Sequence, residues 1–153
     1  MGAINDRLAE LGLELPAVVA PAGAYVPAVV TGNLVHTAGQ LPMAGGALPA
    51  TGKVGADVAA EDAAGYARTC ALNALAAVQN AIGSLDRVTR IVKVVVFVAS
   101  APDFTSQAVV ANGASDLLGE VFGEAGRHAR SSVGVAVLPL DSPVEVELIA
   151  EFA

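Results

Sequence analysis

Charge is scarce in this 153-residue sequence: 15% of its residues are charged, against 54% that are hydrophobic. Tryptophan is absent, and two tyrosines and four phenylalanines are too few for a platform on which nucleic acid bases could stack. Lys and Arg together number eight and are scattered, and the net charge is −7, so no basic stripe exists to neutralise a phosphate backbone. Nucleic acid is therefore not an expected partner. The single cysteine, Cys70, excludes an internal disulfide and fits a reducing compartment. Residues Met1 to Arg7 lack a basic segment followed by an apolar one, so no signal peptide is expected, and a cytoplasmic location follows as an expectation. No window reaches the ~18 unbroken apolar residues of a membrane-spanning helix. The greasiest run, Arg90 to Ser100, is short, β-branched and interrupted by Lys93, and it reads as a strand buried on both faces. Phosphate loops, dinucleotide fingerprints and zinc-ligand spacings are missing too.

What is present is a pattern that suits one domain with a full core. Ala3 to Leu11 suit a short helix with Ile4, Leu8 and Leu11 on one stripe, ended by Gly12. Tyr25 to Val30 read as a first strand, with Pro27 marking an edge position, and Leu34 to Ala38 as its return across the turn Thr31-Gly32-Asn33. Met43 to Gly55, rich in Gly and Pro, reads as an irregular loop. Asp57 is placed to cap the next helix, with Glu61 and Asp62 in its first turn. Ala67, Ala71, Ala74, Val78 and Ile82 then recur at helical spacing, and their small size implies close approach to a flat partner. A second helix is expected to start at Ala101-Pro102-Asp103, with Val110, Ala114, Leu117, Leu118, Val121 and Phe122 as its stripe. Gly113 weakens its middle by roughly 1 kcal/mol.

The last two runs, Ala129 to Pro139 and Val144 to Ala150, alternate like half-buried strands. The turn-rich Pro139-Leu140-Asp141-Ser142-Pro143 between them suggests a hairpin. The order hairpin, helix, strand, helix, hairpin fits one mixed sheet with two helices on one face, an α+β sandwich. The other face would stay apolar and exposed in a monomer, which predicts a symmetric assembly.

Few residues offer chemistry. His36 and His128 are far apart and read as structural, Cys70 as a small core residue, and Ser131 and Ser132 have no base nearby in sequence. Arg130 differs, because an always-charged guanidinium among small apolar neighbours needs an acceptor. That acceptor is either Glu145, Glu147 or a partner subunit in a salt bridge, or a substrate carboxylate held in a bidentate clamp. Glu145 is a solvated strand carboxylate by default. In a half-buried cleft it would instead have a raised pKa and handle protons or water. Tyr25 is by default an aromatic filler.

These residues carry a resemblance. Gly32 to Pro42, GNLVHTAGQLP, is similar to the S/A-G-Q-x-P segment of the Rid family, the reactive intermediate deaminases, also called YjgF or "endoribonuclease L-PSP". Val92 to Val98 resembles that family's central strand, and Ala129-Arg130-Ser131, Leu138-Pro139 and Val144-Glu145-Val146-Glu147 match its deaminase subgroup in order and spacing. The resemblance runs from about Tyr25 to the C-terminus and makes 1–153 a single domain with an N-terminal extension of about 1–22. It implies a chorismate-mutase-like fold, a homotrimer with clefts between subunits, and no metal or organic cofactor. It implies hydrolysis of enamines and imines, such as 2-aminoacrylate and 2-imino acids, to 2-keto acids and ammonia. The alternative is a non-catalytic module of the same fold that binds small carboxylates. By position, Arg130 grips the carboxylate, Glu145 orients or activates water, Tyr25 stands at the cleft mouth, and Gly39 and Ser132 contact ligand through their backbones. Gly23-Ala24 replaces the archetype's Gly-Pro, Ser132 its usual Cys, and Ser115 an aromatic. These departures mark a divergent bacterial subgroup with a pocket of altered size or shape.

Overall fold

In the computed structural model, which describes residues 2–18 and 20–153, the apolar runs form a mixed sheet. Met1 and Val19, both in the extension read from the sequence, lie outside the described residues. The strands are β1 (Ala28–Thr31), β2 (Leu34–Thr37), β3 (Val88–Ala99), β4 (Ala129–Val135) and β5 (Val144–Phe152), and the helices α1 (Ala3–Glu10), α2 (Ala60–Ile82) and α3 (Gln107–Phe122). The strand order is β1-β2-β5-β3-β4, with β3 and β4 parallel and all other neighbours antiparallel. A parallel pair needs a crossover, and α3 supplies it. The α+β sandwich with two long helices on one sheet face is thus the architecture found.

Small side chains set the spacing between the layers. Ala63, Ala67, Cys70, Ala71 and Ala74 of α2 are fully buried against a sheet surface that includes Val35, Val146 and Leu148. Burial pushes the Cys70 thiol well above its ordinary value, with the nearby charge of Glu145 adding, so it behaves as a small core residue. Gly113 proves to be more than a weak point in α3. A Cβ there would overlap the backbone carbonyl of Ala64, so its absence is what lets α3 lie against α2. The N-terminal helix is also docked: Leu8 is buried, the Ile4 amide donates to Asp86 Oδ1 (2.8 Å), and Arg7 Nε donates to the Glu120 carbonyl (2.9 Å). Among the described residues no helix is long and apolar enough to cross a membrane.

Four expectations are corrected. The last two strands are not a hairpin: β3 lies between them, pairing with β4 on one side and β5 on the other. Alternation tells which face a residue takes, not which strand it pairs with, and a long buried strand needs partners on both edges. The link over Leu138–Pro143 crosses the end of β3, where the Ala99 amide donates to Pro143 and that of Ser100 to Val135. Asp57 does not cap α2. Its carboxylate accepts from the Lys53 amide (2.9 Å) and closes a local turn, and α2 begins at Ala60 behind an uncapped Ala59. The second long helix begins at Gln107 rather than near Ala101. Pro102 disfavours helical geometry at Ala101, whose amide instead bonds Val54. Finally, the open sheet face is not uniformly apolar: Lys93, Glu145, Glu147 and His36 stand among Val95, Phe97 and Val133.

Candidate active site

Strand β5 alternates strictly, so Val144, Val146 and Leu148 enter the core while Glu145 and Glu147 take the open face. Beyond β2 the chain stays paired with β5, because the Gln40 amide donates to the Val146 carbonyl (2.8 Å) and the Val146 amide to that of Gln40 (3.0 Å). This pairing presses Gly39 onto Glu145, where any Cβ would overlap Oε1. Half-burial raises the Glu145 carboxyl above its ordinary value, and the neighbouring charge of Glu147 adds to the shift. Among the described residues no side chain donates a hydrogen bond to it. Tyr25 is 57% exposed. With Gly39 it lines a cavity of about 520 Å³. Gly39, Glu145 and Tyr25 therefore belong to one neighbourhood.

Arg130 belongs to another. In β4 it faces the helix layer, where Nη1 donates to Asn112 Oδ1 (2.8 Å) and Ser115 Oγ (3.1 Å), both on α3. Ser115 Oγ also meets His128 Nε2 (2.9 Å), and His128 Nδ1 lies 2.7 Å from the Gly126 carbonyl. A carbonyl only accepts, so Nδ1 must carry the proton. In a neutral ring Nε2 then accepts from the Ser115 hydroxyl, which leaves the serine oxygen to accept from Arg130. The chain of bonds fixes one nitrogen of the guanidinium. Among the described residues no carboxylate pairs with Arg130, and its Nε and Nη2 edge meets no acceptor. That edge has the fork geometry that binds a carboxylate through two bonds. Two residues along β4, the Ser132 hydroxyl is buried and has no partner among the described residues. Leaving such a group unpaired costs about 1–3 kcal/mol.

The two neighbourhoods do not meet within one chain. Arg130 pairs across from Val94, on the core side of β3, and Glu145 across from Phe97, on the open side. They are separated by two strand spacings, about 10 Å, and by a further ~10 Å along β3. Arg130 and Ser132 stand together, as do Tyr25, Gly39 and Glu145, and a substrate of a few carbons cannot span both sets. Sequence reasoning missed Asn112, Ser115 and His128 as the support of Arg130. The signal was there in part: Asn112 and Ser115 are polar, lie three residues apart, and so share one helix face.

Comparison with known proteins agrees with this architecture. Residues 5–152 match the family model described as "YjgF/chorismate_mutase-like, putative endoribonuclease". The chain is 49% identical to the protein TCP17 of Trypanosoma cruzi over 98% of its own length and 94% of that protein. It is 37% identical to a 2-iminobutanoate/2-iminopropanoate deaminase of Escherichia coli K12, over 88% of this chain and 90% of the relative. A crystal structure of an Agrobacterium tumefaciens protein of unknown function superposes with a TM-score of 0.92 at 46% identity, covering 98% of this chain and 92% of the other. The fold that carries Glu145 and Arg130 is the chorismate-mutase-like one, and the chain belongs to the YjgF family.

Proposed function

We propose that the protein hydrolyses enamine and imine intermediates, such as 2-aminoacrylate and its 2-imino acid tautomer, to 2-keto acids and ammonia. The site is a cleft between subunits of a homotrimer, needing no cofactor. The observation that carries this reading is Glu145, a half-buried carboxyl of raised pKa that packs against Gly39 and, among the described residues, receives no side-chain hydrogen bond. The open guanidinium edge of Arg130 supports it, as does the 37% identity to a relative named as an imine deaminase.

In this reading Arg130 of one subunit grips the substrate carboxylate, with Ser132 beside it, and Glu145, Gly39 and Tyr25 come from the neighbour. A water oxygen adds to the imine carbon while one of its protons passes to the Glu145 carboxylate, and the C=N electron pair moves to nitrogen. Glu145 returns that proton to the nitrogen. The hydroxyl proton of the carbinolamine then moves to nitrogen as well, the C–N bond breaks, and ammonia leaves the keto acid. A carboxyl with a raised pKa suits both taking and returning a proton near neutrality. The imine is already electrophilic, so placing it beside a polarised water supplies much of the remaining acceleration.

The test offers the purified protein imines generated by an amino-acid oxidase and follows keto acid release. Release faster than buffer is expected, and Arg130→Ala should lower kcat/KM at least about 30-fold, a loss of about 2 kcal/mol. Release at the buffer rate, with tight keto-acid binding in calorimetry, would make the protein a carboxylate-binding module instead. Ribonuclease chemistry finds little support: His128 is tied to Ser115 and Gly126, His36 lies on the other sheet face, and the net charge is −7.

A further inference from the structure

The cavity beside Gly39 has walls that the imine chemistry does not use. Its volume of about 520 Å³ is in the range of small-molecule sites. One wall comes from the N-terminal extension, including Pro16 and Val18, and the other from Leu41, Met43 and Leu140. Among the described residues no charged side chain lines it. Its two side-chain amides are already engaged. Asn73 Nδ2 donates to the carbonyls of Leu41 (2.9 Å) and Met43 (3.1 Å), and Gln40 Nε2 donates to that of Ala38 (3.3 Å). Apart from the two amide oxygens and the Tyr25 hydroxyl, such walls offer little to a polar group and favour hydrocarbon. Gly39 is the link, because it lines this cavity and also faces the Glu145 carboxylate. The Glu145 carboxylate packs where a Gly39 side chain would stand, so the carboxylate and the cavity adjoin at this one residue.

Resting on the deaminase reading above, we propose that this cavity receives the substrate's side chain. The preferred substrates are 2-imino acids with a bulky apolar group, branched aliphatic or aromatic, rather than those with methyl or ethyl. A methyl group would leave most of the space to water against apolar walls. Each added methylene in an apolar pocket is worth roughly 10-fold or more in kcat/KM. The extension supplies one wall, so the preference is built by residues outside the strands that hold Arg130 and Glu145.

Two measurements test this. In the first, imines generated from alanine, leucine and phenylalanine are hydrolysed by the wild type and by Ala17→Trp and Ala44→Trp. Both of these alanines are exposed and line the cavity, one from the N-terminal extension and one from the segment after β2. The bulky imines should exceed the alanine-derived one by at least about tenfold in kcat/KM, and each tryptophan should collapse that ratio. In the second, calorimetry compares pyruvate with 4-methyl-2-oxopentanoate and phenylpyruvate. Equal turnover of small and bulky imines, or a ratio that survives both tryptophans, overturns the pocket and leaves the deaminase reading intact. No turnover of any imine, with keto-acid affinity that rises with side-chain size and falls in the tryptophan variants, overturns the deaminase reading and keeps the pocket. No turnover and no size dependence of binding overturns both.

Discussion

Glu145 is a residue the fold holds at a disadvantage. Its native pKa is raised, first by burial and then by Glu147, so folding disfavours the ionised form. A carboxyl raised on folding gives stability that is fully present below the unfolded pKa of about 4.3 and lost as pH rises through the folded value. At neutral pH the charge is a net burden, and Glu145→Gln should melt at a higher temperature than the wild type. The gap should close as the pH falls below about 4, and a melting series across that range reads it directly. A gap of constant size, or a less stable variant at neutral pH, would contradict this account. The same substitution should lower kcat about 100-fold or more, since the amide neither takes nor returns a proton. Stability gained where activity is lost is what a site residue, rather than a structural one, should show. At Arg130 the corresponding test lies in its support. Asn112→Ala frees one side of the guanidinium and should raise KM about tenfold with a smaller change in kcat, measured by steady-state kinetics on one imine. The placement of Arg130 and Glu145 as charges in otherwise apolar alternating strands was legible in the sequence. Asn112, Ser115 and His128 were not, because only folding brings α3 and the 126–128 segment to β4.

At the scale of elements, face was easier to read than partner. The stripe of α2 at Ala67, Ala71, Ala74, Val78 and Ile82 is buried throughout. The alternation of β5 likewise puts both glutamates on the open face, as its period of two requires. Pairing carries no such local signal. The turn-rich Pro139–Pro143 link suggested adjacent strands, yet it crosses the end of β3, with Leu140 and Asp141 at φ of 58° and 59°. Gly113 shows how a local penalty can report a global contact. Helix propensity alone says that alanine there should help by roughly 1 kcal/mol. The close approach of the Ala64 carbonyl says that it should destabilise instead, by about 2 kcal/mol, since helices would have to part to admit the methyl. Urea denaturation of Gly113→Ala decides between the two, and a stabilised variant would overturn the close contact of α3 with the Ala64 carbonyl as the reason for this glycine.

For the whole molecule, the separation of Arg130 from Glu145 within one chain makes the proposed site depend on an assembly. The open sheet face leaves Val29 and Val133 about half exposed, at 53% and 44%, beside the charged Lys93 and Glu147. A surface of that mixed kind suits a specific interface between copies rather than a featureless apolar one. Light scattering should give three times the chain mass. A trimer alone does not show a shared site, but complementation does. If Arg130 and Glu145 act from different subunits, the Arg130→Ala and Glu145→Gln proteins each keep only a few per cent of the activity or less, because every cleft lacks one partner. Co-expressed in equal amounts, they should assemble at random, and about one quarter of clefts then draw an intact arginine from one subunit and an intact glutamate from the next. Activity should return to about a quarter of the wild-type value. A site built within single chains predicts no recovery at any mixing ratio, because no chain carries both residues. The opposite placement of the two side chains across β3, together with their separation along it, is why recovery is expected.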